Sequence, residues 1–160
     1  MTAITVRPAV PADVDTLAAW AEAMALETEG KTLDAATIRA GIAAGVADPH
    51  KARYLVAERA SPAGEPPRAV GTLMLTTEWS DWRNGWWWWI QSVYVAPEAR
   101  LLGVFRALYA HVAAEARARP DVRGLRLYVE NDNVRAQATY AALGMGDAHY
   151  RVFEDEFPRG

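Results

Sequence analysis

The 160 residues predict an α/β fold, a mixed central sheet in the order β-α-α-β-β-β-α-β-α-β with one parallel crossover. Three observations carry this expectation. Two amphipathic helical stretches follow the first strand pattern with no strand between them. Three strand patterns, residues 54–57, 69–77 and 86–95, then run consecutively through turn-rich loops, which makes a meander. The last of them reaches the next strand pattern, residues 124–129, through a helical stretch long enough to serve as a crossover, so those two strands lie parallel.

The elements follow in order. Ile4, Thr5, Val6 and Arg7 alternate as a short strand, and residues 8–13 supply turn and helix-start residues. Val14, Leu17, Ala18, Ala21, Met24 and Ala25 recur at spacings of three and four, placing an apolar stripe on a helix that ends near Leu26 or Glu27. Asp34 is suited to cap a second helix with Ile38, Ile42 and Val46 on one face. Residues 61–67, rich in Pro, Gly and Ser, form the strongest loop signal and separate the first two meander strands. Asn84-Gly85 tolerates positive φ and suits the hairpin turn before residues 86–95. Val104, Leu108, His111, Val112 and Glu115 continue a helix that must stop before Pro120. Asn133 is placed to cap a last helix with Ala136, Tyr140 and Leu143 on one face, stopped at Gly144. Residues 149–153 alternate as a closing strand.

Composition narrows the function classes. With 51% hydrophobic and 23% charged residues, the chain suits one globular domain, residues 1–160, with a sizeable core. A net charge of −3 argues against a general nucleic-acid binder. The absence of cysteine removes disulfides, thiolate metal sites and cysteine nucleophiles. No stretch has the length and apolar character of a membrane span or the layout of a secretory signal, so no membrane partner and a cytoplasmic location are expected.

The chemistry concentrates between Trp86 and Leu108. An apolar run stops, turns through Ala96-Pro97-Glu98-Ala99, and restarts as a helix at Arg100-Leu101-Leu102-Gly103-Val104-Phe105-Arg106. The start of a helix presents N–H groups outside its own hydrogen-bond ladder, and with the dipole they favour an anion such as a phosphate. Gly103 permits positive φ or close backbone approach, and Arg100 and Arg106 add charge suited to a diphosphate. An ordinary strand-to-helix connection with solvated arginines would read the same way, so both readings stand at this level.

Two motifs together resemble the GNAT acetyltransferase superfamily over essentially the whole chain. One is Arg100-x-x-Gly103 after a strand ending Val93-Tyr94-Val95-Ala96-Pro97. The other is Asn133-x-x-Ala136-x-x-x-Tyr140-x-x-Leu143-Gly144, following Val129-Glu130-Asn131-Asp132-Asn133. The family's phosphate loop reads Gln/Arg-x-x-Gly-x-Gly/Ala, so Arg100 and Gly103 match while Phe105 replaces the final small residue.

The resemblance implies an enzyme that moves the acetyl group of acetyl-coenzyme A (acetyl-CoA) to an amine of a small molecule, peptide or protein. Transfer is by direct attack in a ternary complex, without a metal. It further implies that the pantetheine arm lies along Val93, Tyr94 and Val95 and the diphosphate on Leu101, Leu102, Gly103, Val104, Phe105 and Arg106 with Arg100, with Asn133 and Tyr140 completing the binding set. Tyr140 takes the position of a general acid toward the departing thiolate: a phenol of pKa about 10 can donate to a thiolate whose conjugate acid sits near about 8.5. The same residue also reads as an aromatic plug, and Asn133 as a plain cap. The central strand carries Trp89, Gln91 and Ser92 where a carboxylate base is common, so Glu78 is the base candidate, with Glu27 and Glu29 as further carboxylates. A non-catalytic acyl-CoA-binding module is the alternative class. Of seven tryptophans, six crowd between Trp79 and Trp89, more than one covered sheet face can bury, and they point to a substrate wall, core packing or a homodimer contact.

Overall fold

The computed structural model describes residues 3–158. In chain order the elements are β1 (Ile4–Pro8), α1 (Val14–Glu29), α2 (Ala35–Ala47), β2 (Arg53–Arg59), β3 (Arg68–Ser80), β4 (Gly85–Val95), α3 (Val104–Ala118), β5 (Val122–Leu127) and α4 (Val134–Ala142), with single 3-10 turns at Pro11–Asp13 and Pro97–Ala99. The chain forms two compact units, one up to Tyr128 and one from Val129 onward.

In the first unit, β1 to β5 form a five-stranded sheet in sequence order. The first three pairings are antiparallel, and β4 and β5 run parallel from Trp86↔Val122 to Ile90↔Leu127. The expected meander and crossover are therefore present. Asn84 adopts a φ of 45° at the β3–β4 turn, where an asparagine tolerates the left-handed region. Asp34 caps α2 by accepting the Thr37 N–H at 2.8 Å. Gly30, at φ 63°, closes α1 two residues beyond the point the apolar spacing marks.

Residue parity assigns the two sheet faces. Val56 packs with Val14, Leu17, Ala18 and Ile42, so even-numbered β2 residues face α1 and α2. Arg53 reaches Glu115 of α3 at 2.8 Å, so the odd ones, Leu55 among them, face α3. Val104, Leu108 and Val112 of α3 are fully buried, as are Leu55 and its cross-strand partner Leu73. Burying such side chains stabilises by about 1.5–3 kcal/mol each, so the sheet is clamped from both sides. Gly71 lets α3 close on the sheet: a Cβ there would stand 2.7 Å from Val104 Cγ1 and 3.0 Å from the Tyr94 carbonyl.

The second unit holds α4 and the chain that follows it. The Asn133 side chain accepts the Ala136 N–H at 3.0 Å, and the Gln137 amide donates to the carbonyls of Glu130 and Asn131 at 3.0 and 2.9 Å. The expected closing strand is a correction. Residues 149–153 form no strand, and Tyr150, Val152 and Phe153 are exposed. Alternation makes a strand only where a neighbouring backbone completes the ladder, and no ladder pairing includes these residues.

Candidate active site

The site begins with a break in β4. Met74 of β3 faces Gln91, whereas Thr72 faces Tyr94, so Ser92 and Val93 together oppose a single β3 residue. Ser92 carries the strain, at a φ of 49°. This bulge reverses the phase of the strand. Before it, Trp88 and Ile90 are buried and Trp88 lies beneath Arg53 and Arg119 on the α3 side. Unbroken alternation would send Tyr94 to that side as well. Instead its ring meets Trp20 of α1 at 5.9 Å, on the opposite face.

Parallel pairing with β5 stops at Ile90↔Leu127, while β4 continues through Gln91 to Val95. Past the last rung, the β5-facing edge of β4 has backbone groups outside the β4–β5 ladder, beside the bulge. Such an edge suits a ligand that carries amides of its own.

Next in the chain is the loop that starts α3. After the Pro97–Ala99 turn, Leu101 and Gly103 both have positive φ, 66° and 81°. The first intrahelical bond of α3 runs from the Ala107 N–H to the Gly103 carbonyl at 3.0 Å, so the N–H groups before it precede the helix ladder. A Cβ on Gly103 would point into open space, which leaves the approach to the helix start clear. Leu101, Leu102 and Arg106 are exposed around it, and Val104 is buried beneath. Phe105, the departure from the family loop, sits one turn before Tyr109 with ring centroids 6.2 Å apart.

Arg100 has protein partners while remaining half exposed. Its Nε donates to the Val95 carbonyl at 3.1 Å and its Nη2 to Glu27 Oε2 at 2.7 Å, with the guanidinium 5.6 Å from the Tyr94 ring centre. The Tyr94 hydroxyl donates to Glu27 Oε1 at 3.2 Å. Burial, reinforced by the Glu27 charge, pushes the Tyr94 phenol above its ordinary pKa, and the bond to Glu27 raises that of Arg100. Leu17, Trp20, Met24, Ile42, Ser92 and Tyr94 contribute to the wall of a cavity of about 40 Å³ beneath α1 and α2. The sequence names Glu27 only as one carboxylate among several. The bulge that aims Tyr94 toward α1 is marked in the sequence only by the polar pair Gln91-Ser92.

Glu78 lies elsewhere on the same face. Its Oε2 accepts the Trp89 indole N–H at 2.6 Å and its Oε1 accepts Arg126 at 2.8 Å. Arg126 also stands 4.1 Å from the centre of the Trp87 ring. Of the crowded tryptophans, Trp88 is buried, while Trp79 and Trp82 are exposed at the hairpin tip. In the second unit, Asn133 caps α4 and Tyr140 lies within that helix, its phenol raised above the ordinary value by burial.

Comparison with known proteins gives a family match in sequence and whole-chain likeness in structure. The acetyltransferase (GNAT) family matches residues 15–145. The chain belongs to this family. It is therefore an acyltransferase, and the donor the family uses is acetyl-coenzyme A. A possible acetyltransferase from Clostridium difficile 630 is 38% identical, with 98% of this chain and 99% of that one covered at a TM-score of 0.87. A structure described as a predicted acetyltransferase with acetyl-CoA from Clostridium acetobutylicum is 16% identical, with 96% of each chain covered at a TM-score of 0.73. A ribosomal-protein-alanine N-acetyltransferase from Brucella melitensis biovar Abortus 2308 is also 16% identical, with 98% and 100% covered at a TM-score of 0.73. At 16% identity these last two share the fold with this GNAT chain and nothing finer. No curated protein matches. The residues around the helix start fit a diphosphate, since the positive φ of Gly103, the space above it and the neighbouring Arg100 leave room and charge for one.

Proposed function

We propose that residues 1–160 act as one catalytic domain that transfers the acetyl group of acetyl-CoA to an amine of a small molecule, peptide or protein, by direct attack in a ternary complex. The observation that carries this reading is the β4 edge released past Ile90, opening beside the start of α3. Val93, Tyr94 and Val95 offer backbone partners to the pantetheine amides, and an N–H of this stretch polarises the thioester carbonyl, a contribution of about 3 kcal/mol to the transition state. The segment from Leu101 to Arg106, with Arg100, receives the diphosphate. Asn133 contributes by fixing the start of α4 and so the register of Tyr140.

The amine nitrogen attacks the thioester carbonyl carbon, the carbon–sulfur bond breaks, and the leaving sulfur takes a proton from the Tyr140 hydroxyl. Burial keeps the Tyr140 phenol in its protonated form, the form that carries the proton to be donated, while making it the weaker acid of the pair. Glu78, the expected base, is engaged at both oxygens by Arg126 and Trp89. That geometry supports a positioning part for it, with the ammonium proton leaving through water. The exposed Trp79 and Trp82 support a homodimer contact at the hairpin tip, checked by sedimentation, and a cytoplasmic location completes the reading.

The test is thiol release from acetyl-CoA with a panel of amines. Tyr140→Phe should bind the cofactor with unchanged affinity while turnover falls roughly 10²–10⁴-fold, the usual contribution of a general acid. Wild-type turnover in this variant across pH overturns the acid assignment. Cofactor binding without thiol release for any amine overturns the transferase reading.

A further inference from the structure

Glu27 stands where two sites meet, and no step of the transfer described above uses it. One carboxylate oxygen holds Arg100 of the helix-start loop, and the other accepts from Tyr94, whose ring lines the cavity under α1 and α2. The Glu27 and Arg100 side chains are 43% and 45% exposed. An ion pair this open is weakly held and readily exchanged. A diphosphate carries more charge than one carboxylate and can engage a guanidinium at two oxygens, so it competes effectively for Arg100.

We infer that Glu27 is a carboxylate gated by the cofactor: it pairs with Arg100 in the free protein and is released when a diphosphate takes Arg100, and the freed charge then receives the ammonium of the acceptor. This rests on the reading of the Arg100–Arg106 loop as the diphosphate site. The cavity lined by Tyr94, whose hydroxyl donates to Glu27, sets the acceptor class. Its walls are aliphatic and aromatic, from Leu17, Trp20, Met24 and Ile42 to Tyr94, with Ser92 and Thr72 as polar points. The acceptor is accordingly a primary amine on a short apolar body. Polyamines and amines with charged bodies are rejected because their second charge has no partner in such walls. Loading order follows: acetyl-CoA first creates the negative charge, and the amine second finds it.

Calorimetric titration with coenzyme A separates the parts of this inference without needing the acceptor. Glu27→Gln, nearly isosteric and exposed, should bind coenzyme A roughly 3- to 10-fold more tightly, because the competitor for Arg100 is gone. The gain should vanish in Glu27→Gln combined with Arg100→Ala. In thiol-release assays at saturating acetyl-CoA, short alkylamines should outrun spermidine and lysine, and Glu27→Gln should raise the alkylamine KM about tenfold. Unchanged coenzyme A affinity in Glu27→Gln, with Arg100→Ala still weakening it, overturns the gate and leaves the diphosphate site standing. If Arg100→Ala and Gly103→Glu both bind coenzyme A as the wild type does, the diphosphate site falls and the gate with it. A preference for polyamines that ignores Glu27→Gln overturns the acceptor class.

Discussion

Strand β4 carries two clusters of the same chemistry, one on each side of its bulge. On the paired half, Glu78 accepts Arg126 at 2.8 Å and the Trp89 indole at 2.6 Å, with Arg126 4.1 Å from the Trp87 ring centre. On the released half, Glu27 accepts Arg100 at 2.7 Å and the Tyr94 hydroxyl at 3.2 Å, with Arg100 5.6 Å from the Tyr94 ring centre. Each is a carboxylate, a guanidinium and an aromatic donor. What differs is the support. Glu78 faces Trp87, and Arg126 faces Trp89, as rungs of one sheet, so backbone ladders hold the whole first cluster. The second joins the last turn of α1, the end of β4 and a loop, and no ladder fixes its members together. The same three groups act as mortar where the sheet is closed and as an exchangeable contact where it opens.

The largest expected effect breaks the first cluster from below. Gly124 lies against Trp87, and a Cβ there would collide with ring atom Cζ3 and stand 3.0 Å from Cε3. The ring has little freedom to yield, with Arg126 and Arg83 4.1 and 5.1 Å from its centre. Gly124→Ala should therefore cost about 3 kcal/mol, at the upper end for forced overpacking, read as a lower urea midpoint. A variant as stable as the wild type would mean the tryptophan wall is loose.

Arg126→Ala comes next. It removes the partner of Glu78 and the cation over Trp87, so a loss of about 2 kcal/mol in stability is expected, with coenzyme A affinity unchanged. Arg100→Ala inverts the pattern: the urea midpoint stays near the wild-type value because the pair is exposed, while coenzyme A affinity falls roughly tenfold. Equal effects of the two substitutions on stability and on binding would erase the distinction between the halves of β4.

The sequence makes the paired half legible and the released half only partly so. The Asn84-Gly85 turn and the Asp34 and Asn133 caps are local signals, and each element they mark is present. The helix-start loop is local too, which is why Arg100 and Gly103 stand out once the family resemblance is set beside their spacing. Glu27 and Arg100 are 73 residues apart, and nothing in either neighbourhood announces the other. Their meeting depends on the bulge, which turns Tyr94 toward α1, and a bulge is one residue of excess that composition does not display. The error at residues 149–153 has the same root, for a strand is a property of two backbones and the pattern shows one.

The smallest expected effect tests the donors that distinguish the two clusters, one titratable and one not. Tyr94→Phe deletes the hydroxyl that donates to Glu27 and should cost about 1 kcal/mol near pH 8. Burial holds the folded Tyr94 phenol above its ordinary value. The unfolded chain thus releases this proton first, from about pH 10, and binds fewer protons than the folded chain above that point. Stability carried by the protonated phenol is complete below about pH 10 and drains away as pH rises toward the folded value. Tyr54 and Tyr140 are also raised, but both proteins contain them, so their contributions cancel in the difference. The gap between wild type and Tyr94→Phe should accordingly narrow between pH 8 and pH 11. Trp89→Phe deletes the donor to Glu78, an indole N–H that does not titrate, and its gap should stay constant over the same interval. Urea midpoints at both pH values read the two gaps side by side. A constant gap for Tyr94→Phe would show that its hydroxyl is not the buried donor to Glu27, and the released half of β4 would lose the contact that ties it to α1.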